Sequence, residues 1–267
     1  MRWNRIAAIV LRQLYLMRGS PSRVLPLFAW VTVDIVLWGF ISRYLNSVAT
    51  PGFNFVTTLL GAVLLWDFFS RVMQGVTIAF LEDVWSRNFL NIFATPLSIS
   101  EYLLGLVLTS IGTSTVGLVV MLVLATVVFG LSFFTYGVLL IPFVLVLFLF
   151  GIALGIAGSA MVLRFGPASE WFVWPIPALV SPFAGVFYPL SVLPRWMQCI
   201  SYLLPPAYVF EAMRSILSGH APSMTVLLGA TALAALYVLG AAWLFSRVYR
   251  YSVRTGLIAR YSAESVS

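Results

Sequence analysis

The sequence predicts an all-α integral membrane protein, and three observations predict it. Hydrophobic residues make up 61% of the 267 positions and charged residues only 9%, where a soluble chain carries roughly 25% charge. Apolar stretches of about 20 residues, enough to cross a hydrocarbon core of about 30 Å, recur along the whole length. No gap between them is large enough for a soluble domain, so residues 1–267 read as a single transmembrane domain. Within it the pattern gives six transmembrane helices, an N-terminal interfacial amphipathic helix and a re-entrant helical hairpin before the last span.

The interfacial helix occupies residues 1–22. Trp3, Ile6, Val10, Leu14 and Met17 recur at three- and four-residue steps, while Arg2, Arg5, Arg12 and Gln13 cluster on another side, the layout of a helix lying in the membrane surface. Arg12 interrupts the apolar run and no small-residue cleavage site follows, so a cleaved signal peptide is not expected. Gly19, Ser20 and Pro21 break the helix, and a first span runs from about Val24 to Ile41. A polar turn, Tyr44 to Gly52, leads to a second span from about Phe53 to Phe80.

Residues 81–100 are polar and amphipathic. Ser98 and Glu101 have the spacing of a capping box, in which the serine accepts from an orphan amide and the glutamate reaches back, so a third span starts there and ends near Phe129. The fourth span, about Tyr136 to Leu163, places Gly151, Gly155 and Ser159 at four-residue steps, a face stripped of bulk for close helix packing. The fifth, from about Trp171, carries Pro175, Pro177 and Pro182 and must be kinked or broken. Residues 185–222 hold two apolar pieces, Arg195 to Leu204 and Ala207 to Leu217, divided by Pro205 and Pro206. Each is too short to span, and Gly219 is placed to cap the second. The sixth span is Met224 to Phe245.

Arginines flanking the spans resist translocation and set the orientation. With both termini in the cytoplasm, Arg2, Arg5, Arg12, Arg18, Arg23, Arg87, Arg164, Arg247, Arg250, Arg254 and Arg260 lie inside, against Arg43, Arg195 and Arg214 outside. This puts residues 81–100 on the inner side and the hairpin on the outer.

Asp34, Asp67 and Arg71 are the ionisable residues well inside the predicted spans, and such groups are costly in hydrocarbon. Asp67 and Arg71, four apart, can pair on a helix, with Asp34 at similar depth on its own span. Two readings stay open: a neutralised cluster tying the first two helices together, or a substrate or gating role. Trp38, Trp66, Trp174, Phe183, Phe187, Tyr188 and Trp196 are candidates for an aromatic-lined translocation path, against the general enrichment of Trp and Tyr at membrane interfaces. Glu211 and Arg214, three apart, suit a local ion pair within the hairpin. Cys199, the single cysteine, and His220, the single histidine, receive no chemical role.

The segment from Glu82 to Tyr102, with Thr95-Pro96-Leu97-Ser98 before a span, resembles the first cytoplasmic loop of the type-2 ABC permease family. The stretch Pro182, Gly185, Phe187-Tyr188-Pro189, Leu193-Pro194, Trp196, Pro206, Tyr208, Glu211 and Arg214 resembles that family's proline-rich region before the last span. The resemblance implies the permease subunit of an exporter of drugs, polysaccharides or lipid-linked glycans, assembled as a homodimer, or with a close relative, on two ATP-binding cassette subunits in a bacterial cytoplasmic membrane. It implies further that the first cytoplasmic loop docks on the ATPase. There Trp85, Phe89, Ile92 and Phe93 form a helix-spaced apolar stripe beside Glu82, Asp83 and Arg87; the alternative is a helix lying on lipid, which Glu82 and Asp83 oppose because the inner leaflet is negative.

The sequence independently calls for an ATPase partner. All 15 basic residues are arginine, and a P-loop needs the lysine of GxxxxGK[ST] to reach the phosphates. ATP and Mg are therefore expected on the partner subunit, with no cofactor, metal, catalytic residue or nucleic acid on this chain. An intramembrane enzyme lacks a motif here; a channel not coupled to ATP, or a structural membrane subunit, would show the same hydropathy.

Overall fold

The computed structural model describes residues 2–48, 56–86, 88, 91–92, 94–131 and 133–257, and of 21–24, 26–28, 133–135 and 167 the backbone only. Every regular element among the described residues is helical. Four stretches, Val56–Trp85, Ile99–Phe129, Tyr136–Phe165 and Met224–Arg254, are long and apolar enough to cross a membrane. The chain is a multi-pass membrane protein.

Helix α1, Trp3–Arg18, buries Ile6, Ile9 and Gln13, and it ends where the Gly19 amide donates to the Tyr15 carbonyl at 3.0 Å. Helix α2, Pro21–Val48, enters the polar stretch expected to be a turn and continues to Val48; residues 49–52 of that stretch lie outside the described residues. The reason is a distant partner. The Arg43 guanidinium donates to the Val128 carbonyl at 2.8 Å and lies 5.0 Å over the Phe129 ring, so the polar end of α2 is held against another helix.

A π-helical turn, Val56–Leu60, leads into α3, Gly61–Trp85, which continues past the expected end at Phe80 and absorbs residues 81–85. Helix α4, Ile99–Phe129, opens with the capping box: the Glu101 amide donates to Ser98 Oγ at 3.3 Å, and the Ser98 amide donates to Glu101 Oε2 at 3.0 Å. It closes at Gly130, whose φ of 68° a side chain would resist. Helix α5 follows at Leu140–Phe165.

The fifth expected span is broken, as its prolines require. Helix α6, Glu170–Val173, stops before Trp174 and Pro175, and α7, Ile176–Ala184, ends at Gly185. The segment expected to form a hairpin contains α8, Arg195–Ser201, and α9, Pro205–Leu217, with Pro205 and Pro206 at the start of the latter, where a missing amide costs nothing. Gly219, at φ 81°, closes α9. Helix α10, Met224–Arg254, completes the chain.

Helices α3 and α5 form the centre, α10 packs on the far side of α5, and α4 packs on α3 with α1 and α2 against it. The small-residue face of α5 meets α3. A Cβ on Gly155 would come within 2.7 Å of the Met73 carbonyl oxygen, and one on Gly151 within 3.0 Å of that of Phe69. Thr77 uses the approach, its hydroxyl lying 3.2 Å from the Gly155 carbonyl. Aromatic contacts carry the packing outward: Phe69 stacks on Phe150 at 5.7 Å, and Phe150 meets the edge of Tyr237 on α10 at 5.2 Å.

Candidate functional site

Two acidic residues sit beside the two ends of the 86–98 loop, and α1 reaches both. At the loop's start Asp83, fully buried, is ion-paired with Arg12 of α1 and accepts from the Tyr102 hydroxyl of α4 at 2.7 Å. At its end the Glu101 carboxylate accepts from the Arg2 amide at 2.7 Å and pairs with the Arg5 guanidinium at 3.4 Å, while holding the capping bond to Ser98. Helix α1 is thus pinned to α3 and α4 on either side of the loop. Buried carboxylates survive there because each is paired and hydrogen-bonded.

This placement sets Asp83 and Ile92 apart from the other residues of the expected docking stripe. The charge of Asp83 is neutralised inside the chain, and Ile92, 8% exposed, turns into the main core instead of outward. Trp85 stands 51% exposed at the loop's start, next to the half-buried Glu82. Arg87, Phe89 and Phe93 lie outside the described residues. Reading the sequence missed Arg12 and Tyr102 as partners of Asp83, because neither shares a local spacing with it.

The intramembrane charges come together across helices. Asp34 of α2 and Asp67 and Arg71 of α3 all act electrostatically on one another, and the Arg71 stem passes 3.7 Å from where a Cβ on Gly117 of α4 would stand. Two helices therefore share one set of charges, with α4 packed beside the arginine. Arg71→Met leaves Asp67 and Asp34, two like charges, without their shared cation, and is expected to destabilise by about 3–5 kcal/mol, the cost of stranding a buried charge. Asp67→Leu with Arg71→Met should recover most of the loss, measured as thermal stability in detergent. A double variant that folds well and cannot transport would assign these charges to mechanism instead.

The aromatic candidates separate into groups. Trp38 of α2 stacks on Phe187 at 5.3 Å, and Phe183 meets the edge of Trp196 at 6.4 Å. Trp66 packs against Phe69 and Phe210 between α3 and α9. The Tyr188 hydroxyl donates to the Pro182 carbonyl at 2.9 Å, and Trp174 is exposed. Glu211 and Arg214 do pair, at 2.8 Å, and do more than that: Glu211 accepts from the Leu190 amide at 2.8 Å, and Arg214 donates to the Gly185 carbonyl at 2.7 Å. The pair clamps the turn between α7 and the hairpin.

The family model for the ABC-2 type transporter matches residues 5–218, from within α1 to the residue after α9. No curated protein matches the chain.

Proposed function

The chain belongs to the ABC-2 type transporter family as a membrane permease component, and from that premise we propose that it is the permease subunit of an ATP-driven exporter. Permeases of this family work with ATP-binding cassette partners. The observation that carries the reading is the 86–98 loop, begun by an exposed Trp85 and tied at both ends to α1. A loop anchored this way can pass a push from a docked ATPase to α1, α3 and α4 together. Glu82, Trp85, Arg87, Phe89 and Phe93 are assigned to docking; Asp83 serves as an internal anchor.

Two copies of the chain, or this chain and a close relative, form the path between them with two ATPase subunits below. With six spans in a bacterial membrane, the arginine distribution supports both termini in the cytoplasm and α7, α8 and α9 on the outer side. The aromatic residues of α7 and α8, with Trp38, favour an amphipathic cargo, either a lipid-linked saccharide or a hydrophobic drug.

The test is affinity capture of the tagged chain from native membranes. An ATP-binding cassette protein should copurify, the chain alone should show no ATPase activity, and Trp85→Ala with Phe89→Ala should weaken the association at least about tenfold, as loss of aromatic anchors does. Intrinsic ATPase activity, or transport without any such partner, would overturn the proposal.

A further inference from the structure

Helix α10 carries one unbroken stripe from hydrocarbon to headgroup depth. Leu236, Leu239, Trp243, Arg247, Arg250 and Arg254 follow at steps of three and four residues, so they line one side of the helix. All six are exposed. The opposite side, with Leu227, Ala234, Ala241, Phe245 and Ser252, is buried toward α5, so the stripe faces away from the bundle. At 31 residues the helix is about 46 Å long, longer than a hydrocarbon core of about 30 Å. Its last turns therefore stand among headgroups.

The arginines there are organised rather than scattered. Arg247 lies 5.5 Å over the Trp243 ring, and Arg250 Nε donates to the Ser246 carbonyl at 3.3 Å. Arg164, at the end of α5, sits 4.0 Å over the ring of Tyr251, one turn beyond Arg247. Among the described residues no carboxylate pairs with Arg164, Arg247, Arg250 or Arg254. Four cations thus stand at the foot of an apolar stripe, none of them paired with a carboxylate among the described residues.

We propose that this surface is a binding site for an anionic phospholipid, with an acyl chain along Leu236, Leu239 and Trp243 and the phosphate held by Arg247, Arg250, Arg254 and Arg164. Charge complementarity selects the lipid: a second protein copy would bring its own arginines against these, while an anionic headgroup neutralises them and its chain covers the leucines. A free phosphate would leave the apolar half of the stripe unused. The headgroup falls in the inner leaflet under the orientation proposed above.

The test reads Trp243 directly and depends on neither orientation nor transport. The chain is placed in vesicles with the same lipids in both leaflets, containing brominated phosphatidylglycerol or brominated phosphatidylcholine at equal mole fraction, and the Trp243 signal is taken as the difference from Trp243→Phe. Brominated phosphatidylglycerol should quench in clear excess, and the preference should fall by roughly fivefold for each arginine removed in Arg247→Gln and Arg250→Gln. Equal quenching by both lipids would mean ordinary boundary lipid and would overturn the site. So would a preference that survives the double arginine variant, or a Trp243 that neither lipid quenches, which would mean that protein covers the stripe.

Discussion

Gly155→Leu is expected to remove nearly all correctly folded protein. A Cβ at this position would meet the Met73 carbonyl oxygen at 2.7 Å and Val76 at 2.9 Å, so the first atom added already collides with the backbone of α3, which cannot rotate away. The rest of a leucine must force α3 and α5 apart, breaking the Thr77 contact to Gly155 and the stacking of Phe69 on Phe150. Overpacking of a close-packed interior costs about 1–3 kcal/mol where side chains can yield. Here the neighbour is main chain at the centre of the bundle, and the expected cost is above that range, a large share of a typical stability of about 5–15 kcal/mol. Gly112→Leu on α4 is the matched control, since nothing lies within 4 Å of its added Cβ. Fluorescence-detected size exclusion should show a monodisperse peak for Gly112→Leu and loss of that peak for Gly155→Leu. Equal yields would refute the close α3–α5 contact.

The second large effect is an asymmetry at the Arg12–Asp83 pair. The Asp83 side chain is 1% exposed and that of Arg12 28%, so the two do not suffer equally from losing a partner. Arg12→Met strands a carboxylate in the interior with the Tyr102 hydroxyl still donating to it, and about 3–5 kcal/mol should be lost. Asp83→Leu strands a guanidinium that can extend its stem toward water, so a smaller loss is expected. The double variant should regain most of the stability, short by about 1 kcal/mol for the unmade bond to Tyr102. Thermal unfolding in detergent measures all four proteins. Equal losses in the single variants would falsify the burial difference on which this rests.

Local features were legible in the sequence because their partners are close along the chain. Ser98 and Glu101 stand three apart and form the capping box that their spacing announces. The prolines break the chain between α6 and α7, Gly219 closes α9, and Gly151 and Gly155 present the face that packs on α3. What stayed hidden depends on distant residues. Helix α2 runs on to Val48 because Arg43 finds a carbonyl 85 positions away, and no hydropathy window contains that information. Asp83 looked like a surface charge because acidic residues in a polar loop usually are. Its partner Arg12 lies 71 positions upstream, on a helix whose own amphipathic pattern explains the arginine without invoking a partner at all.

The pinning of α1 also orders the birth of the protein. Its anchors Asp83, Glu101 and Tyr102 are separated from Arg12, Arg5 and Arg2 by 71 to 99 positions, so α1, made before them, has nothing to hold until α3 and the start of α4 have been made. Until then its arginines can rest on the anionic membrane surface, which accepts them without specificity. Helix α1 is therefore made well before it can take its final place. Its docking neutralises two carboxylates at once, so it acts as a checkpoint on the assembly of the two helices flanking the loop.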